Sequence, residues 1–385
     1  MARGELAGAD LTEEQLREVE RLMTVGYVSG SVAAGPNAGV TVHDRERAYQ
    51  GLNLLVSGHG PEALLVDMDG RVLHSWRYDF ETAWPERELP ETAEDDEFWR
   101  RAFLLPDGEL LAIFEGYGLI KVDSRSNLIW RYDGFCHHDL HIRDDGTIVV
   151  LEREPTIVPE VSGEDPILED FISILTPDGE LVRRISILDA LKDSDYSVLL
   201  TEMEGGGDVF HTNTLEVLDG RLEDDCPSFA AGNVLISILK ISTVAVVDLS
   251  QEKVVWALRG LWRYQHQPTI LPNGRMMVLD NVAAPYVSRV LELDPFTQEI
   301  FWSYEGDVDG PFYTASCGSN QRLPNGNTLI TESDNGRAME VTPDKAIVWE
   351  FVSPYRAGEE GELVATLFEV VRLEPDLPLD WLPGD

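Results

Sequence analysis

Three histidines stand at nearly the same place in a pattern that recurs along the chain. His138 and His266 each lie eight residues before a turn glycine, and His211 lies nine residues before one. Two further copies of the pattern carry Arg100 and Gly318 at this place. Because side chains alternate along a strand, residues at one register of equivalent strands point to the same side. The spacing therefore predicts a cluster of three imidazoles and one guanidinium.

Such a cluster suits two kinds of chemistry. Neutral imidazoles serve as acids, bases and nucleophiles near neutral pH, and a nearby cation favours the transfer of an anionic group. Three imidazoles also suit a divalent transition metal ion. The metal ligands would be His138, His211 and His266, completed by His141, Asp280 or Glu332. The residues alone leave both group transfer and metal binding open.

Other polar residues near the three histidines are predicted to bind the substrate. They are Arg100, His137, His141, Lys240, Asn281 and Asn320. Since His137 and His141 are separated from His138 by odd numbers of residues, a regular strand would direct their side chains to its other face. A bulge in the strand would change that direction.

The elements that position these residues are the strands of the repeat. Each copy has a Pro-Asp-Gly or Asn-Gly type of turn, an apolar strand, a second strand ending near Asp, a short turn and a strand ending in an aromatic residue. The copies begin near residues 52, 104, 142, 231, 270 and 322, and the first lacks the leading turn. Repeats of this length are typical of propeller blades, and the turns suit tight hairpins. The sequence predicts an all-β, six-bladed β-propeller with a short N-terminal helix.

The predicted organisation has three parts. Residues 1–50 form a helix, over 11–23, and an extension that packs on the propeller. Residues 51–355 form the propeller, and residues 356–385 form a tail that packs on it or closes it. Acidic segments at 80–98, 154–170, 188–207 and 219–229 are predicted to be loops over one rim. Packing between blades is expected for Trp76, Trp130, Trp256, Trp302 and Trp349.

Composition excludes several classes of function. The chain has a formal net charge of -40, so it lacks the basic surface that nucleic acids require. No apolar stretch is long enough to cross a membrane, and the N-terminus lacks the basic and then hydrophobic start of a leader, which predicts a cytoplasmic protein. The three cysteines show no CxxC spacing, so neither a disulfide framework nor a thiolate zinc site is expected. The histidine cluster predicts a small, anionic molecule as partner, and the oligomeric state stays open.

Several segments together resemble the bacterial aryl-sulfate sulfotransferase family. The segments are HHDLHIRDDGTIVVLE at 137–152, DVFHTNTLEVL at 208–218, NVLISILKISTVAVVDL at 233–249, YQHQPTILPNGRMMVLDN at 264–281 and SCGSNQRLPNGNTLITES at 316–333. Members of this family are six-bladed propellers that move a sulfuryl group from a phenolic sulfate ester to another phenol without a nucleotide donor. With the blade pattern, the resemblance covers about residues 50 to 355.

The resemblance implies roles for the histidines. His266 would be the nucleophile that becomes a sulfohistidine, and a covalent intermediate implies a ping-pong cycle without a cofactor. His211 and His138 would bind the sulfuryl oxygens or protonate the leaving phenolate. Aromatic residues expected to stack on a phenol are Trp262, Tyr264, Tyr286, Phe312 and Tyr313.

One departure from the family concerns a cation. The family has an arginine where this chain has Leu239; Lys240 is one residue away and should face elsewhere, while Arg100 is a channel-facing substitute by register. The family's N-terminal strand domain and export signal are also missing from the sequence given. Two other functions therefore remain: a metal-dependent lyase or oxygenase, and a propeller that binds without catalysis.

Overall fold

The computed structural model describes residues 12–23, 28–87, 98–203, 205–307 and 310–382. Almost all regular structure in these ranges is β-strand. The helices are Glu13–Met23, Phe80–Ala83, Pro159–Ser162 and Ile187–Lys192, with 3-10 turns at Ser197–Glu202 and Pro227–Phe229. None of the helices in the described ranges is long and apolar enough to cross a membrane.

Six antiparallel sheets contain four or five strands each, and we number them as blades 1 to 6 along the chain. From the innermost strand outward, blade 1 consists of Leu367–Arg372, Asn53–Ser57, Glu62–Val66 and Val72–Arg77. Blade 2 consists of Trp99–Leu104, Leu110–Phe114, Gly118–Val122 and Leu128–Tyr132. Blade 3 consists of Cys136–Ile142, Ile148–Ile157, Pro166–Leu175 and Leu181–Ser186, and the two-residue strand Gly207–Asp208 runs parallel to its third strand.

The other three blades follow the same order. Blade 4 consists of Thr212–Val217, Val234–Ile238, Thr243–Asp248 and Lys253–Arg259. Blade 5 consists of His266–Ile270, Met276–Ala284, Val287–Leu293 and Ile300–Tyr304. Blade 6 consists of Ser319–Arg322, Thr328–Glu332, Arg337–Val341, Ile347–Val352 and, at its outer edge, Gly39–His43. Short pairings join Val32–Ala33 and Arg356–Ala357 to Leu363–Val364, and Gly306–Asp307 to Gly310–Pro311.

The blades form a closed ring. Each innermost strand contacts the innermost strand of the next blade, and Ser319–Arg322 of blade 6 contacts Leu367–Arg372 of blade 1. The chain closes this ring from both ends, because Gly39–His43 completes blade 6 and Leu367–Arg372 completes blade 1. Because Leu367–Arg372 from the end of the chain supplies the innermost strand of blade 1, the first repeat has neither that strand nor the turn that would follow it. The predicted all-β propeller is confirmed, while the division at residues 50 and 355 stays a prediction.

Tryptophans on the outermost strands of blades 1, 5 and 6 bond the next blade, as the repeat predicts for packing between blades. The indole of Trp76 in blade 1 donates to the carbonyl of Gly108 in blade 2 at 2.9 Å. The indole of Trp349 in blade 6 donates to the carbonyl of Met68 in blade 1, also at 2.9 Å. Both side chains are fully buried. Their rings thus fill the space between blades, and their N–H groups bind turns of the neighbouring blade.

Several elements differ in detail from the sequence predictions. The predicted loops at 80–98 and 188–207 contain the helices Phe80–Ala83 and Ile187–Lys192. The predicted loop at 154–170 is mostly a long hairpin, in which Ile148–Ile157 pairs with Pro166–Leu175 over ten residue pairs. The acidic residues suggested a solvent-exposed loop, but Glu169 and Asp170 are buried inside the hairpin. The predicted helix at 11–23 spans Glu13–Met23, and Thr12 caps it by accepting from the backbone N–H of Gln15 at 3.2 Å.

Candidate functional site

Local distortions of the innermost strands bring the predicted site residues together. The register shifts between Trp99 and Arg101 in blade 2, between Cys136 and Leu140 in blade 3, and between His266 and Thr269 in blade 5. The backbone is left-handed at His138, His211 and Gln267, with φ of 55°, 50° and 48°. Such conformations are costly for residues other than glycine and cluster at functional sites. They redirect neighbouring side chains, so simple alternation along these strands fails.

His266 opens the innermost strand of blade 5 and is almost fully buried. Its Nδ1 lies 2.9 Å from Oδ1 of Asn281 and 3.0 Å from the carbonyl of Tyr264. Asn281 itself donates through Nδ2 to the carbonyls of Thr314 and Cys317, so its Oδ1 must face the histidine. Both partners of Nδ1 are acceptors, and Nδ1 therefore carries the ring proton.

The other ring nitrogen of His266 is left with its lone pair. Nε2 is buried and has no hydrogen-bond partner among the described residues. Burial, reinforced by the charge of Arg100, lowers the pKa of His266 to about 3. The imidazole is consequently neutral at physiological pH, with an electron pair on Nε2 that no described residue engages and a proton held on Nδ1.

Two other predicted histidines meet directly. Nε2 of His138 lies 3.2 Å from Nε2 of His211, and the rings are nearly perpendicular. His137 joins them, because its Nδ1 lies 2.7 Å from Nδ1 of His138. The left-handed backbone at His138 is what places two consecutive side chains on the same side. The direction expected for His137 in a regular strand does not apply, because the register of Cys136–Ile142 shifts at this point, as the sequence left open.

Buried charges surround this chain of imidazoles. Glu115 accepts from the backbone N–H of His138 at 2.9 Å, and its Oε1 lies 3.2 Å from Nδ1 of the same residue. Arg153 lies 3.5 Å from that Oε1. At the far side, Asp208 pairs with Nδ1 of His211. Burial lowers the pKa of His138 well below its ordinary value, and the neighbouring His211 and Arg100 lower it further.

Arg100 supplies a cation near the histidines. It is 4% exposed, and its guanidinium lies 5.2 Å from the ring centre of Phe368 on the closing strand of blade 1. Its charge lowers the pKa of both His138 and His266. Leu239 is buried in blade 4 with its N–H 3.3 Å from the carbonyl of His211, whereas Lys240 is exposed.

The sequence profile of the arylsulfotransferase (ASST) family matches residues 101–354. The chain belongs to the arylsulfotransferase (ASST) family. The matched range includes His137, His138, His211 and His266, and it supports an arylsulfotransferase-like function on a small aryl substrate. No curated protein matches the chain.

Similar solved structures concern the fold alone. A protein of unknown function from Bacteroides caccae has 14% identity and a TM-score of 0.54, over 83% of this chain and 98% of that one. A streptogramin B lyase has 11% identity and a TM-score of 0.47, over 90% and 98% of the two chains. The propeller of Dos1 has 12% identity and a TM-score of 0.44, over 86% and 77%.

The remaining predicted binding residues of this arylsulfotransferase-family chain lie apart from the imidazoles. His141 and Asn320 line a cavity of about 590 Å³ next to the innermost strands. Arg101 and Gln267, which follow Arg100 and His266 in sequence, also line it. The cavity therefore lies next to the histidines, on the side of the residues that follow Arg100 and His266 in their strands. Asn320 donates to the carbonyl of Gln267 at 3.2 Å, which links the cavity to the residue next to His266.

The aromatic residues divide into two groups. Trp262 and Phe312 are buried in hydrophobic clusters, so the prediction that they stack on a phenol is not supported by their positions. Tyr264 and Tyr286 are exposed, and the ring of Tyr286 packs edge-on against Tyr313 at 5.7 Å. Tyr264 lies two residues before His266 and accepts from its Nδ1. Of these tyrosines, Tyr264 is the one with a contact to His266.

The ligand set predicted for a metal does not form in this arrangement. Within the described part of the chain, the side chains whose donor atoms all lie within 4.8 Å of one another are Glu115, His137 and His138. His211 and His266 are not part of that group. The guanidinium of Arg153 beside Glu115 also competes with a cation for the same carboxylate. The donor set thus fits a hydrogen-bonded network better than a site for a divalent ion.

Several residues of the network were not predicted from the sequence: Glu115, Arg153, Asp170 and Asp208. Glu115 follows a strand of blade 2 and Asp170 lies inside the long hairpin of blade 3, so nothing local marks them. Asp208 did have a signal, because it stands three residues before His211 in DVFH. A carboxylate at that distance is well placed to bond the imidazole or cap its backbone.

Proposed function

We propose that this chain transfers a sulfuryl group from an aryl sulfate ester to a phenolic acceptor through a sulfohistidine at His266. The observation that carries the proposal is the state of the His266 ring. Asn281 and the carbonyl of Tyr264 hold the proton on Nδ1, so Nε2 presents a lone pair without a competing partner. A neutral imidazole held in one tautomer is a prepared nucleophile.

Arg100 and the paired histidines His211 and His138 support the transfer. Arg100 is fixed against Phe368 and close to His266, where it would stabilise charge on the sulfuryl oxygens. We propose that Arg100 replaces the arginine whose place is taken by Leu239. The contact between Nε2 of His211 and Nε2 of His138 contains one proton, and we propose that this N–H group serves the same oxygens or the departing phenolate.

The proposed cycle has two half-reactions. In the first, the lone pair of His266 Nε2 forms a bond to sulfur while the bond between sulfur and the aryl oxygen breaks, and the electron pair and a proton go to the phenol. In the second, the oxygen of an acceptor phenol attacks sulfur, its proton returns to the enzyme, and the electron pair of the S–N bond returns to Nε2. Neither step requires a metal or a nucleotide, so we propose that no cofactor is needed.

The acceptor and donor would share one aromatic surface. Tyr264, Tyr286 and Tyr313 offer ring faces or edges close to the strand that carries His266. A phenyl ring stacked there gains from burial and from the quadrupole of the tyrosines. Because the donor leaves before the acceptor binds in a ping-pong cycle, one such surface is enough.

The test is to trap the intermediate. The protein is mixed with 4-nitrophenyl sulfate, quenched in alkali to preserve an N-sulfo group, digested and examined by mass spectrometry. We expect one peptide, containing His266, to gain the mass of one SO₃ group, with release of one equivalent of nitrophenol. The same experiment in the presence of EDTA should give the same yield.

Two variants serve as controls. His266→Asn keeps an amide that reaches Asn281 but removes Nε2, so it should show neither the adduct nor the release of nitrophenol. His74→Asn changes a half-buried histidine of blade 1 that contacts the carbonyl of Ser124, and it should behave as the native protein. Absence of the adduct and of transfer over a panel of aryl sulfates would refute the proposal.

A further inference from the structure

The part of the central channel next to the histidines is a cavity of about 590 Å³, which we call the far cavity. His266 begins its innermost strand and His211 precedes one, whereas the residues of the cavity lie later in the same strands. Each of the six innermost strands contributes to its wall, through Arg101, His141, Glu216, Thr269, Asn320 and Glu369. Cavities of roughly 300–1,000 Å³ commonly hold small molecules, so this one is large enough for a ligand.

Asn320 presents an unused hydrogen-bond acceptor in the wall of the far cavity. Its side chain is 4% exposed, and its Nδ2 donates to the carbonyl of Gln267 at 3.2 Å. This bond fixes which way the amide faces, so Oδ1 is the atom left over. Oδ1 is buried and has no hydrogen-bond partner among the described residues. A buried oxygen without a partner is costly, and Oδ1 therefore marks a place for a donor of a ligand.

Glu216 presents a second acceptor in the same wall. Its Oε2 accepts from the backbone N–H of Ile270 at 2.9 Å, and its carboxylate is also hydrogen-bonded to Thr269. Both of these donors are neutral. Burial raises the pKa of Glu216 to about 7, because the charged form is poorly solvated there. A positively charged ligand in contact with this carboxylate would favour its charged form.

Arg101 does not supply a free positive charge to the cavity, because it already lies between two carboxylates. Its guanidinium lies 3.0 Å from Oδ1 of Asp139, and it also pairs with Glu369 of the closing strand. Burial is the main cause of the raised pKa of both acids. When both acids are ionised, this part of the wall carries one excess negative charge.

The other two arginines of the wall are paired with carboxylates outside the lining. Arg221 donates to Asp219 at 2.8 Å, and Arg322 donates to Glu292 at 2.7 Å. An anionic ligand would have to compete with these partners for the guanidinium groups. The cavity is therefore better suited to a ligand that brings hydrogen-bond donors and positive charge.

We propose that the far cavity binds an aliphatic diammonium ion, one end of which donates to the carboxylate of Glu216 and the other to Oδ1 of Asn320. The two acceptors lie in blades 4 and 6, on either side of blade 5, so a ligand that contacts both needs two separated donors. An ammonium group has N–H donors and no acceptor, which suits a carboxylate and an unpaired amide oxygen. The site is distinct from His266 and does not depend on the proposed sulfuryl transfer. A methylene chain between the two ends would contact apolar residues of the wall, among them Leu104, Leu140, Leu215 and Pro268.

The first experiment compares ligands of similar length and different charge on the native chain by isothermal titration calorimetry. At pH 8 and physiological ionic strength, 1,4-diaminobutane is doubly charged and Glu216 is mostly ionised. We expect one site with a dissociation constant below about 1 mM. Since 1,4-butanediol lacks the charge and succinate reverses it, both should bind at least about tenfold more weakly. Tighter binding of succinate would show that the arginines govern the cavity, and it would overturn the proposal.

Two substitutions test the two acceptors separately. Glu216→Gln keeps an oxygen for the N–H of Ile270 and removes the charge, so it should weaken the binding of 1,4-diaminobutane at least about tenfold. Asn320→Ala removes Oδ1 and should weaken binding by a similar factor. Thermal unfolding shows whether each variant keeps the fold of the propeller. The comparison of the three ligands on the native chain does not depend on either variant.

A matched control is needed because the formal net charge of -40 attracts any cation to the surface. Glu86 is exposed and pairs with Arg131 outside the wall of the far cavity. Glu86→Gln removes the same unit of charge as Glu216→Gln, and it should change the dissociation constant less than about twofold. His266→Asn should also bind 1,4-diaminobutane as the native chain does, because His266 is not part of the wall.

Three further results would overturn the proposal. The first is a dissociation constant of the native chain for 1,4-diaminobutane above about 10 mM. The second is equal weakening by Glu86→Gln and Glu216→Gln, which would mean that the diamine is held by the charge of the whole surface. The third is loss of binding in His266→Asn, which would place the diamine at the histidines instead of in the far cavity.

Discussion

At the scale of residues, the state of each site histidine depends on which hydrogen-bond partners its ring nitrogens have. Asn281 uses its amide to bind two carbonyls of the loop before blade 6, and the remaining oxygen can only accept from His266. Asp208 accepts from the backbone N–H of His211 at 3.0 Å, and its other oxygen contacts Nδ1 of that ring. The two histidines are thus held by different partners, an amide for His266 and a carboxylate for His211.

The buried, neutral state of His266 should appear in the stability of the protein. Its ordinary pKa of 6.5 applies to the unfolded chain, and burial lowers the folded value to about 3. Between these pH values the unfolded state binds more protons, so stability falls as the pH falls below about 6.5. Moving from pH 7 to pH 5 should cost about 2 kcal/mol at this residue.

His266→Gln isolates that effect, because carboxyl groups such as Asp170 shift stability in the opposite direction. The difference in free energy of unfolding between the native protein and the variant is measured by urea titration at both pH values. We expect the difference to become less favourable to the native protein by about 2 kcal/mol at pH 5. An unchanged difference would show that His266 is not held neutral.

At the scale of elements, the sequence predicted the strands well and their distortions poorly. The turn residues mark the blades, and tryptophans mark five of them, because these signals depend on residues close together in the sequence. The register count identified His138 and His211 because it compares equivalent strands. It could not give the direction of His137, because nothing in the sequence marks the bulge and the left-handed residue in Cys136–Ile142. Glu115 and Asp170 were missed because no local pattern distinguishes them from other acidic residues.

The links between blades can be compared by two matched substitutions. Trp349 is fully buried and its indole bonds the carbonyl of Met68, so Trp349→Phe leaves a cavity and an unpaired acceptor. We expect a loss of about 2–3 kcal/mol. Trp302 makes the equivalent bond to Pro343 at a more exposed position, so Trp302→Phe should cost less than about 1 kcal/mol. Equal losses in urea unfolding would contradict the role given to burial.

At the scale of the whole molecule, the strand that closes the ring also carries residues that contact the site. The strand Leu367–Arg372 is the innermost strand of blade 1, and it brings two residues to the channel. Phe368 lies under the guanidinium of Arg100, and Glu369 pairs with Arg101. Arg101 also pairs with Asp139, next to His138, at 3.0 Å. The C-terminal strand thus helps to hold the cation near the histidines.

This coupling predicts different outcomes for two truncations. A chain ending at residue 365 lacks the closing strand, which leaves the edge of Asn53–Ser57 unpaired and the ring open. We expect it to associate through that edge, to lose its cooperative thermal transition and to form no sulfohistidine. A chain ending at residue 374 keeps the strand and loses only the segment that carries Trp381, whose ring packs at 5.4 Å from Trp76. It should remain monodisperse and form the intermediate, with a modestly lower melting temperature. Size-exclusion chromatography, thermal unfolding and the mass-spectrometric trap distinguish the two, and a compact, active chain ending at 365 would show that the site assembles without the closing strand.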